Sequence, residues 1–170
     1  MNFFELIQRR YSTRKYISTP VQEEVLSRIL KAGCLAPTAA NRQPFRIVVV
    51  HTKGNGELLK SMYKRDWFVE APIILVVCAV VAEAWVRSYD GKNHADVDAT
   101  IIADHLILAA TEEGLGTCWI AAFDPAATRK ALNIPQGIEP VICITLGHAA
   151  DTAQLKKRKE LKDLVVSEGF

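Results

Sequence analysis

The chain has no CxxC pair, and no cysteine has a histidine nearby at ligand spacing. A zinc clamp and a redox dithiol are both excluded on that ground. Cys34, Cys78, Cys118 and Cys143 each sit among apolar neighbours and read as reduced core residues. A surplus of charge is also missing: 21 Lys and Arg face 19 Asp and Glu, a formal net of +2. That is too small for a global field toward nucleic acid or a membrane surface. No apolar run approaches the ~18 residues of a membrane helix. The start, Met1-Asn2-Phe3-Phe4-Glu5, shows no basic leader followed by an apolar run and a cleavage site, so cytoplasm is the expected compartment. There is no GxSxG and no cysteine beside a catalytic histidine in sequence, so no nucleophile constellation is present. Gly114 and Gly116 lack a third glycine and precede a strand, which is the wrong order for a dinucleotide fingerprint.

What is present is a large apolar fraction, 49% of 170 residues, enough for one well-packed domain over 1–170. The stretch His94–Asp124 organises it. Val97, Ile101, Ile102, Leu106, Ile107 and Leu108 recur at helical spacing on more than one face, so this helix must be covered nearly all round. Gly114 and Gly116 end it, and Gly116 to Phe123 reads as a buried strand stopped by Asp124-Pro125. A domain of this size leaves about 30% of its unfolded-chain surface exposed. A second subunit is therefore expected over part of the helix.

Asn2 caps a first helix that ends in Gln8-Arg9-Arg10. Tyr11-Ser12-Thr13-Arg14-Lys15-Tyr16 then sets hydroxyl donors between cations, a mixture that suits a phosphate or, more blandly, a solvated helix end. Thr19-Pro20-Val21-Gln22 has the pattern of a capped helix start, with Val25, Leu26, Ile29, Leu30 and Cys34 on one apolar face. A small-residue loop, Pro37 to Pro44, follows, short enough in side chain for a planar ligand to reach its backbone. Phe45–Val50, apolar but for Arg46, and Pro72–Val80, apolar throughout, predict strands covered by helices on both faces, with Glu57–Tyr63 a short helix between them. In Glu83–Asn93, Trp85 reads as packing and Tyr89 as either packing or a stacking residue.

His94 and Asp98 lie four apart, but a metal site needs three or four converging ligands, and no metal is expected. Asp96 and Asp98 read as helix-start carboxylates, and Asp104 and His105 as buried hydrogen-bond partners at a packing or subunit interface. Ala126–Leu132 predicts a helix and Glu139–His148 a core strand. The run Lys156 to Lys159 is a solvated charge cluster, a nucleic-acid patch, or the second side of a phosphate site facing Arg9 to Lys15. The near balance of charge and the lack of a binding module argue against nucleic acid.

Arg9-Arg10-Tyr11-Ser12-Thr13-Arg14-Lys15-Tyr16, followed after one helix by Ala36-Pro37-Thr38-Ala39-Ala40-Asn41-Arg42-Gln43-Pro44-Phe45, resembles the FMN-dependent nitroreductase family. Gly114-Leu115-Gly116-Thr117-Cys118-Trp119-Ile120-Ala121-Ala122-Phe123, the Leu146-Gly147-His148 strand end and the basic Gln154–Leu164 segment are similar to further family motifs, so the likeness covers essentially the whole chain. Ala122 stands where glycine is common and Glu160 where proline is frequent.

The resemblance implies an α+β, three-layer α-β-α fold with a central mainly antiparallel sheet, in an intertwined homodimer, and a C-terminal arm over 150–170. It implies FMN as cofactor and NADH or NADPH as donor, serving a nitroaromatic, quinone or related small-molecule acceptor by a ping-pong mechanism. Arg10, Tyr11, Ser12, Lys156 and Arg158 fall to the phosphate and ribityl chain, and Arg14 to the N1/O2 edge, where a fixed cation stabilises reduced flavin. Backbone N–H groups near Ala121 and Ala122 fall to the N5 edge. Pro37, Thr38, Ala39 and Asn41 would meet the flavin of the other subunit. A register slip of one promotes Lys157 and Lys159 to the phosphate instead. Lys64 to Trp67 receive no role, His148 reads as structural, and Arg42, Arg46 and Arg87 are unranked candidates for a 2′-phosphate. Flavin storage without turnover, flavin fragmentation or dehalogenation, and a small nucleic-acid-binding protein are the alternatives.

Overall fold

The computed structural model describes residues 1–169. Helix α1, Phe3–Arg9, opens with the reciprocal cap that its sequence encodes: the Asn2 side chain accepts the Glu5 N–H at 3.0 Å and the Glu5 carboxylate accepts the Asn2 N–H at 3.0 Å. The chain continues through β1 (Tyr16–Ile17), α2 (Glu23–Cys34), β2 (Phe45–His51), α3 (Gly56–Met62), α4 (Asp66–Glu70) and β3 (Ile73–Val80). It closes with α5 (Ala95–Glu112), β4 (Gly116–Ile120), α6 (Pro125–Ala131) and β5 (Ile138–Ala149), followed by an arm carrying one 3-10 turn at Leu161–Asp163.

The strands form one antiparallel sheet with β5 as its hub. β5 pairs with β1, β3 and β4, while β2 pairs with β3. Residues of β3 alternate between two cores, as period 2 requires. Ile73, Leu75, Val77 and Ala79 pack with Leu26 and Ile29 of α2 and with Ile102 and Leu106 of α5. Ile74, Val76 and Cys78 pack with Leu59 and Met62 of α3 and Phe68 of α4. All eight residues of β3 are buried, so this strand needs helices on both faces and has them. The fold is the three-layer α+β arrangement expected.

Several local expectations are corrected. α2 begins at Glu23, not at Thr19-Pro20, because Val21 is buried while the chain is still extended at Gln22. Cys34 is exposed, unlike the other three cysteines. On a helix the residue stacked above Ile29 is Gly33, and Cys34 turns away from the core. β2 is only half-buried along most of its length, as suits an edge strand. Asp104 is exposed in the single chain, which rules out intrachain packing for it but not a subunit interface, whereas half-buried His105 bonds through Nδ1 to the Ile101 carbonyl at 3.0 Å. Helix α4, five residues long, has no counterpart in the sequence reading. Around Glu83–Asn93 the chain makes a small turn with an isolated bridge, Val86 to Asn93, and an Arg87–Asp90 ion pair. There Trp85 packs edge-on against His94, and Tyr89 stands in solvent at 96% exposure. Among the described residues no helix is long and apolar enough to cross a membrane.

Candidate active site

The basic segment after α1 is fixed by a buried residue within it. Thr13 is fully buried; its N–H donates to the Thr117 carbonyl at 2.9 Å, and its own carbonyl accepts the Tyr16 hydroxyl at 2.8 Å. That hydroxyl also lies 2.5 Å from Thr145 Oγ1, which accepts the Cys118 N–H at 3.0 Å. Gly116 makes room: a Cβ there would lie 2.6 Å from Thr13 Oγ1. With Thr13 pinned on β4 and β5, its neighbours Ser12 and Arg14 are left toward the surface, half-buried and exposed respectively.

The arm returns across this segment as soon as β5 ends. The Ala150 N–H donates to the Lys15 carbonyl at 2.8 Å. Asp151 then accepts the Arg14 N–H at 2.8 Å through Oδ2 and the Tyr11 hydroxyl at 3.0 Å through Oδ1. Further on, Lys156 Nζ donates to the carbonyls of Ile7 at 2.7 Å and Gln8 at 2.5 Å, at the C-terminal end of α1. A cation is favoured there, where helix carbonyls lack partners. Two tethers thus hold the arm over the basic segment.

Between them lies a cleft of about 620 Å³ lined by Arg10, Tyr11, Ser12, Arg14, Asp151, Lys156, Lys157 and Arg158, among others. Burial, then the charges of Arg10 and Arg158, hold the Lys156 ammonium below the usual lysine range. Among the described residues Arg10, Arg14, Lys156 and Arg158 form no ion pair. Beneath the cleft, burial raises the Cys118 thiol, opposed by Arg14, Ser12 and Arg10, so this cysteine stays protonated. The Arg14 guanidinium sits 6.0 Å from the ring of Trp67, which is itself stacked edge-on by Tyr63. That distance is within cation–π reach.

Six expected residues, Arg10, Tyr11, Ser12, Arg14, Lys156 and Arg158, therefore come together in one cleft, joined by Lys157 but not Lys159. Pro37, Thr38, Ala39 and Asn41 do not line it. They occupy the α2–β2 connection, where the Ala39 N–H donates to the Asp98 carboxylate at 2.9 Å. Asp98 is thus a buried loop anchor rather than only a helix-start charge. Ala121 and Ala122 are exposed just past β4, and Ala122 borders a separate depression with Tyr63, Lys64 and Arg65. Asp151 and Trp67 were missed by sequence reasoning. A lone acid directly ahead of a basic arm was the available signal for Asp151, and an aromatic beside Lys64-Arg65 for Trp67.

The nitroreductase family model matches residues 7–65 and 57–148, from the end of α1 to the end of β5. The chain belongs to the nitroreductase family. A nitroreductase family protein of Clostridium difficile 630 shares its structure with a TM-score of 0.92 at 34% identity, over 100% of both chains. Among curated relatives, an NADH dehydrogenase of Thermus thermophilus is 27% identical over 93% of this chain and 92% of its own. An FMN reductase (NAD(P)H) of Bacillus subtilis is 28% identical over 86% of this chain and 66% of its own. The family and these names agree on one coarse activity, an NAD(P)H-dependent oxidoreductase. The family match stops at 148, so Asp151 and the basic arm, which complete the cleft, lie beyond it.

Proposed function

We propose that the chain is an FMN-dependent NAD(P)H oxidoreductase, passing hydride from NADH or NADPH to nitroaromatic, quinone or related small-molecule acceptors in two alternating half-reactions. The observation that carries this reading is the cation set of the cleft. Arg10 and Arg158 line the cleft with Lys156 and add to burial in lowering the pKa of its ammonium, and no described carboxylate forms an ion pair with the three. Such a set fits a phosphomonoester dianion, to which guanidinium forks and hydroxyls donate charge-assisted hydrogen bonds. Ser12 supplies a hydroxyl at the same wall, while the Tyr11 hydroxyl is given to Asp151.

Bound FMN supplies the hydride relay, and the protein's part is placement and charge. Arg10, Lys156 and Arg158 hold the phosphate, with Ser12 beside them. Arg14, its backbone fixed by Asp151 and its side chain over Trp67, serves as a fixed cation for the N1/O2 edge, where negative charge builds on reduction. The backbone at Ala121 and Ala122 would lie toward the N5 edge. The Pro37, Thr38, Ala39 and Asn41 loop would complete the site from a second copy of the chain. A homodimer is accordingly part of this reading, and the exposed pair Phe3 (62%) and Phe4 (72%), in edge contact with each other and near Ile7 and Leu108, supports it, since adjoining exposed apolar side chains mark interaction surfaces. No side chain is required as acid or base, because the acceptor takes its proton from solvent. Neither a membrane nor a nucleic acid is a partner, and the cytoplasm, with its reduced nicotinamides, is the compartment.

Titrating flavin-free protein with FMN and following flavin fluorescence tests the assignment. Wild type is expected to bind, and Arg10→Ala and Arg158→Ala each to bind about 10- to 100-fold more weakly, as loss of a hydrogen bond to a charged group costs about 1.5–3 kcal/mol. Protein that takes up no FMN, or variants that bind as wild type does, would overturn the reading.

A further inference from the structure

Asp98 is the one acidic or basic side chain buried among the described residues, at 1% exposure. It lies in the first turn of α5, where the helix dipole favours a carboxylate, but its partner is elsewhere. Oδ1 accepts the Ala39 N–H at 2.9 Å, and Oδ2 has no hydrogen-bond partner among the described residues. A carboxylate in this position is costly to bury, so an apolar core residue is the cheaper choice for packing alone. Its use needs a reason.

The loop it holds supplies one. Ala40, Asn41 and Gln43 have φ of 51°, 53° and 52°, a region that L residues other than glycine seldom adopt. Backbone in this state persists only where its surroundings over-determine it. The loop's own bonds run from Asn41 N–H to the Thr38 carbonyl at 3.0 Å, from Arg42 N–H to the Ala39 carbonyl at 3.2 Å, and from Gln43 N–H to Thr38 Oγ1 at 3.0 Å. The Asp98 contact is the one that ties it to a helix of the core.

We propose that Asp98 is a positioning residue, which keeps the Thr38–Gln43 loop in the strained shape with which it meets the cofactor of a second copy. This rests on the flavin reading above. Holding the loop in advance removes ordering that would otherwise accompany cofactor binding. Asp98 touches no cofactor. It acts through the Ala39 amide and the loop behind it.

Two measurements test this. In wild-type protein, hydrogen exchange at the Ala39 amide is expected to be about 100-fold slower than at the exposed Ala40 amide, since exchange reports local opening. Equal rates would overturn the proposal without any variant. In Asp98→Asn, which keeps an acceptor for Ala39, both Ala39 protection and FMN affinity are expected within about threefold of wild type. In Asp98→Leu, of similar bulk and no acceptor, Ala39 protection and FMN affinity both fall about tenfold, a difference of one decade or about 1.4 kcal/mol. A folded Asp98→Leu that binds FMN like wild type, or an Asp98→Asn that fails equally, overturns the role of Asp98. Wild type that takes up no FMN overturns the flavin reading instead, and the exchange result still decides whether Asp98 holds the loop.

Discussion

Lys156 shows how much one side chain in the cleft decides. Its ammonium braces α1 through two carbonyls while burial, then Arg10 and Arg158, lower its pKa. With no ligand, the folded chain binds this proton less tightly than the unfolded chain. Folding stability attributable to Lys156 is therefore reduced while it is protonated, and is regained as pH rises from its lowered folded value toward the ordinary lysine value. A bound phosphate dianion reverses the repulsion and raises the pKa again. FMN affinity is thus expected to fall as pH climbs through that window, and Lys156→Met to weaken binding while flattening the profile. Fluorescence titrations at a series of pH values check this; an unchanged slope in Lys156→Met would show that the ammonium does not face the phosphate. At this scale the Arg10–Arg14 pattern and the cations of the arm were legible because donor type and spacing are local properties. Asp151 was not, since its meaning comes from Tyr11, 140 positions away. The same holds for Asp98 and for Trp67, whose partners are Ala39 and Arg14.

Burial makes the three core cysteines poor nucleophiles, with the Cys143 thiol pushed up to about 12 and Cys78 to about 11. Cys34, by contrast, is exposed, on the side of α2 that faces away from the core. α2 meets α5 at Gly33, where a Cβ would lie 2.6 Å from Leu106 Cδ2 and 2.9 Å from Leu106 Cγ. Gly33→Ala is therefore expected to force the helices apart and cost about 1–3 kcal/mol, as overpacking of a core does. Urea unfolding would show a lower midpoint at unchanged slope; an unshifted midpoint would mean that Leu106 moves aside freely. Strands and long helices were readable from the sequence because β3 is apolar at every position and α5 carries its apolar residues on several faces. The edge position of β2 was not, because it depends on which strands lie beside it. Helix α4 is too short to show a period.

For the whole molecule, the layers account for both cores, yet they leave α1 and the outer side of α5 incompletely covered. Phe3 and Ile7 border a depression with Leu108 and Asp104 of α5, next to Arg10, Lys156 and Arg158. Val97, on the same helix, is 41% exposed. The sequence leads one to expect a second subunit over part of this helix, and this face is where it would sit. Sedimentation at micromolar concentration is expected to give a homodimer, and Phe4→Asp to shift it toward monomer with loss of FMN. A monomeric wild type that still holds FMN would remove the second copy from the site.

The most direct test of the central claim is the visible absorption spectrum of the purified protein under anaerobic conditions, taken before and after NADPH and then NADH. A flavin band that one nucleotide bleaches, and that a quinone restores, is the predicted result. Protein that is colourless and takes up no FMN, or a flavin band that neither nucleotide bleaches, would contradict the account.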